Sequence, residues 1–84
     1  MNIKAASSVK KHVPLTLQIK SIINEVPNIC TRTPRGIREM HNEIIKKYPV
    51  TYRLFSEVMN TLAVTGYSFN GMTIHTKSNL FWLQ

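Results

Sequence analysis

The chain has 84 residues, of which 43% are hydrophobic, so it is long enough for one small folded domain and too short for two. Eleven lysines and arginines stand against four acidic residues, all of them glutamate, which gives a formal net charge of +7. This charge either serves solubility alone or favours a polyanionic partner such as DNA, RNA, an anionic membrane surface or an acidic protein.

Residues typical of catalytic and metal-binding sites are scarce in this sequence. Cys30 is the only cysteine, which excludes an intrachain disulfide or cysteine metal cluster and favours a reducing compartment, the cytoplasm or a nucleus. The chain has no aspartate, its glutamates are dispersed, and it lacks a glycine-rich phosphate loop. We therefore expect no catalytic site, no metal and no cofactor. No apolar run approaches the ~18 residues that a bilayer-spanning helix needs, so we expect no membrane partner.

Residues 1–13 are polar, small and basic, and they include Lys4, Lys10 and Lys11. We predict a flexible arm here, preceding one domain over residues 14–84. The arm could lie along DNA phosphates or in a minor groove, or it could be a frayed terminus.

The first predicted helix begins at Pro14, because proline suits the first helical position. Apolar residues then recur at three- and four-residue steps, which is typical of a surface helix with one buried stripe: Leu15, Ile19, Ile22, Ile23 and Val26. Pro27 is expected to end this helix. Residues 28–32 suit extended backbone and predict one short strand.

The second helix is predicted to start with Thr33 as N-cap and Pro34 in the first turn. A second apolar stripe follows: Ile37, Met40, Ile44, Ile45 and Tyr48. Pro49 is expected to end the helix, because the residue before a proline avoids helical backbone.

A tight corner at residues 49–53 then leads into the third helix, for which Thr51 is a good N-cap. Its apolar stripe is Phe55, Val58, Met59 and Leu62. Gly66 suits the left-handed conformation that ends many helices.

The remaining residues alternate as β-strands do, and two hairpin registers compete. One register turns at Asn70-Gly71, while the other pairs residues 72–76 with residues 80–83 around Lys77-Ser78. We favour the second as the main hairpin, because it gives the last strand a partner of similar length. Asn70-Gly71 is then a bend that leads into the hairpin.

The predicted elements follow one another as helix, short strand, helix, tight turn, helix and two-stranded hairpin. Over residues 14–83, this order resembles the winged-helix superfamily. The resemblance implies an α+β winged helix-turn-helix with three helices and a C-terminal β-hairpin. It also implies that the third helix enters the major groove of DNA and that the hairpin, or wing, touches the DNA backbone or minor groove.

Carried onto this chain, the resemblance implies a set of DNA-binding residues. The outward face of the third helix would read bases: Thr51, Tyr52, Arg53, Ser56, Glu57 and Asn60. Arginine can make two hydrogen bonds to guanine, and asparagine can do the same to adenine. A phosphate clamp at the start of the second helix would consist of Thr33, Arg35 and Arg38. The wing tip would consist of Thr76, Lys77, Ser78 and Asn79.

Several of these side chains have a structural alternative. Arg53 could pair with Glu57 one helical turn later. Lys46 and Lys47 could hold phosphate, or they could stabilise the negative end of their own helix. Tyr48, Tyr52 and Trp82 could stack on bases of a single strand. Tyr48 and Trp82 lie on apolar patterns and are assigned to the core, while Tyr52 stays open.

The leading hypothesis is therefore a small winged-helix protein that binds double-stranded DNA. It would act as a transcriptional regulator or as an accessory factor of a DNA transaction, and it could act as a homodimer. The alternative is a protein-binding adaptor or inhibitor, which the single wing cation Lys77, the acidic Glu57 and the apolar residues 80–83 favour. RNA binding is a third option.

Overall fold

The computed structural model describes residues 14–84, in which three α-helices pack against four short antiparallel strands. The helices are α1 (Leu15–Ile29), α2 (Ile37–Ile44) and α3 (Tyr52–Thr65). The strands are β1 (Arg35–Gly36), β2 (Ser68–Phe69), β3 (Met72–Lys77) and β4 (Leu80–Leu83). The predicted α+β class is confirmed, whereas the predicted arm of residues 1–13 lies outside the described residues. No described helix is long and apolar enough to cross a membrane.

The first helix is longer than predicted. It continues through Pro27 to Ile29, so the prediction that Pro27 ends it is wrong. A proline removes one backbone donor, and here it lies in the last turn, where Cys30 already has extended backbone. The Cys30 amide still donates to the Val26 carbonyl at 2.7 Å. Burial of Val26 and Ile29 in the core stabilises this turn despite the missing donor.

The short strand lies later in the chain than predicted. Residues 28–32 do not form it, because the strand is β1, in which Arg35 pairs with Phe81 and Gly36 with Leu80. Only Thr31 of the predicted segment reaches the sheet, where its carbonyl accepts from the Leu83 amide at 2.7 Å. Pairing with the last strand therefore decides where the short strand forms.

The second helix is shorter than predicted at both ends. Gly36 is its N-cap and makes no side-chain capping bond, so the prediction that Thr33 caps it is wrong. Residues 33–36 are drawn out of the helix because β1 pairs with β4. At the other end the helix stops at Ile44, and residues 45–47 form turns rather than more helix. Tyr48 is half-buried and packs against the core, as predicted.

The third helix agrees with its prediction. The Thr51 hydroxyl accepts from the Leu54 amide at 3.2 Å, which caps the first turn. Gly66 ends the helix in the left-handed region, with φ of 71°. All four residues of the predicted stripe are buried: Phe55, Val58, Met59 and Leu62.

Both competing turns occur. The favoured hairpin of β3 and β4 is confirmed, with its turn at Ser78-Asn79, one residue later than predicted. Asn70-Gly71 is a second tight turn that joins β2 to β3, so describing it only as a bend is wrong. Both residues of each turn have positive φ, as hairpins with two-residue loops prefer.

The sheet, in the order β1-β4-β3-β2, has one face on the core. Ile74, Phe81 and Leu83 lie on that face and are buried. Trp82 alternates to the other face, where its ring stacks on His75 with centroids 5.9 Å apart. The assignment of Trp82 to the core is therefore wrong. Burial raises the pKa of Cys30 to about 11, against the charge of Arg35, so this core thiol stays neutral.

Candidate nucleic-acid interface

A shallow cleft of about 260 Å³ lies where the start of α2, the start of α3 and the β3–β4 turn meet. Four residues predicted to bind DNA line it: Arg38 from α2, Tyr52 from α3, and Ser78 and Asn79 from the turn. The Ile37 amide donates to the Asn79 carbonyl at 3.2 Å. This bond fastens the turn beside α2 and so forms the wall of the cleft.

Inside the cleft, Arg38 lies over the ring of Tyr52, with its guanidinium carbon 4.6 Å from the ring centroid. Such stacking attracts the cation to the π-face and leaves the N–H groups at the guanidinium edge for another acceptor. Arg38 is exposed and forms no ion pair within residues 14–84. The pair is thus a positioned and uncompensated positive charge.

His41 packs against Tyr52 of this pair and was not predicted as a site residue. Its ring meets the Tyr52 ring edge-on at 5.5 Å and the Phe55 ring at 5.7 Å. Its Nε2 lies 2.7 Å from the Val50 carbonyl, which can only accept, so Nε2 carries the hydrogen. In the sequence, the only indication that His41 lies near the core is its position directly after the core residue Met40 on α2.

All four glutamates form ion pairs with cations of the described region. The pairs are Glu25–Lys47 at 3.0 Å, Glu43–Lys46 at 3.5 Å, Glu57–Arg53 at 3.7 Å and Glu39–Arg35 at 3.8 Å. Four of the predicted DNA contacts are thereby already engaged with an acid. Among residues 14–84, the cations without an ion pair are Lys20, Arg32, Arg38 and Lys77.

The three residues of the predicted phosphate clamp make separate contacts. Thr33 is exposed in the loop before β1, and its amide donates to the Thr31 hydroxyl at 3.3 Å. Arg35 lies in β1 and donates from Nη1 to the Ile29 carbonyl at 3.0 Å, which ties β1 to the end of α1. Only Arg38 of the predicted clamp reaches the cleft.

The outward face of α3 continues from the cleft. Arg53, Glu57 and Asn60 are exposed there, and Ser56 is half-buried. The Asn60 side-chain amide donates to the Ser56 carbonyl at 2.8 Å. The Thr51 hydroxyl caps the helix, so Thr51 acts first as a structural residue. Lys77, the last residue of β3, and exposed Thr76 lie on the other side of the turn.

Glu25 is the one charged residue of the described part that is buried, and it joins α1 to the segment before α3. Its Oε1 accepts from Lys47 Nζ at 3.0 Å and from Asn28 Nδ2 at 3.1 Å. The hydrogen bond from Lys47, and then that from Asn28, hold the pKa of Glu25 below 4.5, although burial opposes this. The same contact raises the pKa of Lys47 above 10.5.

We expect acid to weaken the domain through Glu25. Because its folded-state pKa is lowered, its stabilising effect is complete above the unfolded-state pKa of 4.5 and is lost as pH falls through the lower folded value. Urea unfolding of the protein and of Glu25→Gln should therefore differ at neutral pH and converge at an acidic pH below the lowered pKa of Glu25. Glu43→Gln is the control, because Glu43 pairs on the surface with Lys46. A constant difference between the protein and Glu25→Gln at both pH values would contradict the prediction.

Comparison of the chain with models of protein families, with curated proteins and with solved structures found no match.

Proposed function

We propose that the chain is a winged helix-turn-helix domain that binds double-stranded DNA, as a transcriptional regulator or an accessory factor of a DNA transaction. The order of its elements supports this, because α1, β1, α2, α3 and the β3–β4 hairpin follow one another as the resemblance requires. The pairing of β1 with β4 adds support, since it brings the hairpin turn beside the start of α2.

The observation that carries the proposal is the convergence of Arg38, Tyr52 and Asn79 in one cleft. The three residues come from the start of α2, the start of α3 and the hairpin turn. A guanidinium held on an aromatic ring suits a phosphate or a guanine edge, while the side-chain amide of Asn79 can both donate and accept. The cleft therefore offers a polyanion hydrogen-bond donors from α2 and from the hairpin turn.

The ion pairs determine which positive charges are left unbalanced for a polyanion. Because the glutamates already balance Arg35, Lys46, Lys47 and Arg53, the positive excess at the cleft comes from Arg38 and the neighbouring Lys77. Arg53 can still reach a base if it leaves Glu57. Such an exposed pair contributes at most about 1 kcal/mol, so the exchange costs little.

The proposal is tested by titrating a fluorescent duplex with the protein at several salt concentrations. Affinity should fall steeply as salt rises, because phosphate contacts release counterions. Arg38→Ala should weaken binding about tenfold and lower the slope of log affinity against log salt by about one.

Arg32→Ala is the matched control for this titration. It removes the same charge from the loop beside Thr31, which contacts Leu83 at the end of β4 far from the turn. Its effect should be clearly smaller than that of Arg38→Ala. Equal losses for both variants, or no binding to any duplex at low salt, would overturn the proposal.

The rival function, a protein-binding adaptor or inhibitor, is favoured by the ion pairs themselves. They engage half of the eight lysines and arginines in residues 14–84, and Leu80 at the rim of the cleft is 42% exposed. A folded protein that binds no duplex, but binds one protein in a fixed ratio after nuclease treatment, would establish the rival.

A further inference from the structure

An open groove of about 480 Å³ runs between α1 and α3. No residue lines both this groove and the cleft. Its walls are mainly aliphatic, with Leu15, Ile19 and Ile23 from α1 facing Leu54, Val58 and Leu62 from α3.

The groove continues the apolar stripe of α1 beyond the core. Ile22 and Val26 of that stripe are completely buried, whereas Leu15 is 59% exposed at the start of the helix. Tyr67 also lines the groove and is 46% exposed. Contiguous apolar surface of this kind is characteristic of interfaces.

The charges at the rim indicate what covers the groove. Lys20 follows Ile19 and precedes Ile23 by three residues, so helical spacing places it beside the α1 wall. It has no ion pair within residues 14–84. Glu57 lines the opposite wall, with 65% of its side chain exposed and a separation of 3.7 Å from Arg53. Each copy therefore carries one unpaired cation and one accessible carboxylate on opposite rims.

We infer that this groove is a twofold interface between two copies of the chain. A twofold axis presents the same surface from both sides, so an attraction between Lys20 of one copy and Glu57 of the other occurs twice. The apolar walls, including Leu15 and Tyr67, are removed from water between these two ion pairs. No lysine or arginine of residues 14–84 lines the groove itself, which limits repulsion between two basic molecules.

Dimerisation does not depend on DNA binding. If the proposed function also holds, the dimer removes Glu57 from the predicted base-reading face but leaves both clefts exposed, so two half-sites on one duplex can be contacted together. The interface is tested without DNA, so its failure leaves the duplex titration unaffected.

The test is sedimentation equilibrium of the full chain over a wide range of protein concentration. We expect a reversible dimer that Leu15→Lys weakens more than tenfold, because the variant places a charge in the apolar wall. Ile45→Lys is the matched control. Ile45 is an exposed apolar residue at the end of α2, 46% exposed and outside the groove, so this variant should dimerise normally.

Charge exchange identifies the rim contact. Lys20→Glu and Glu57→Lys should each weaken the dimer several-fold, and the double variant should restore it because each pair is rebuilt with its charges exchanged. Circular dichroism of each variant confirms that it is folded. A monomer at every concentration overturns the inference and leaves the groove to another occupant. A dimer that the double exchange does not restore, or that Leu15→Lys does not weaken, also overturns it.

Discussion

Replacing Phe55 with alanine should lower the free energy of unfolding by about 3–5 kcal/mol. Phe55 is completely buried on α3 and is among the largest fully buried side chains of the described core. Truncating such a residue costs about 3–5 kcal/mol, because apolar surface is lost and a cavity remains. A small domain has a total stability of only about 5–15 kcal/mol, so this loss is a large share.

The measurement is chemical unfolding followed by circular dichroism, with Val64→Ala as the control on the same helix. Val64 is 85% exposed, so its truncation should change the free energy of unfolding by less than about 0.5 kcal/mol. Similar losses for the two variants would contradict the placement of Phe55 at the centre of the core.

His41→Ala should destabilise the domain by about 2–3 kcal/mol, because it removes a donor and a packed ring together. The Val50 carbonyl would lose its 2.7 Å partner next to a buried side chain. Phe55 and Tyr52 would lose the ring that lies between α2 and α3. The geometry of the cleft should change as well, because Arg38 stacks on the ring of Tyr52.

Urea midpoints of His41→Ala and His75→Ala separate this role from that of an ordinary surface histidine. His75 is exposed on the outer face of the sheet, where it stacks on Trp82. Its removal should cost clearly less than that of His41. Equal midpoints for the two variants would show that the contact with Val50 does not stabilise the corner.

The elements that sequence reasoning predicted well are those defined by neighbouring residues. The third helix has its cap at Thr51, its stop at Gly66 and its stripe within one segment. The place of β1 could not be predicted in this way, because it depends on Phe81 and Leu80 far along the chain. The prediction that Pro27 ends the first helix was wrong for a related reason, because packing of the last turn outweighed the local effect of the proline.

The residues of the candidate site show the same difference between what the sequence predicts and what depends on contacts between distant segments. Arg38, Tyr52 and Asn79 followed from the resemblance, because the order of elements predicts that such positions come together. Glu25 and Lys47 are 22 residues apart, and nothing in either segment indicates that they meet. The resemblance also implied a phosphate-binding role for Arg35, whose Nη1 donates to the Ile29 carbonyl in the structure.

The pairing of β1 with β4 also bears on the order in which the chain folds. It joins Arg35 to Phe81 and encloses α2, α3 and the strands between them, so the loop entropy of closing it is larger than for either hairpin. We expect α3 and the β3–β4 hairpin to form before this closure. Until β1 and the Thr31 carbonyl cover β4, the edge of an apolar strand stays open to pairing with other chains. In the folded protein this two-residue strand therefore covers part of the β4 edge, which stays open while the chain is still folding.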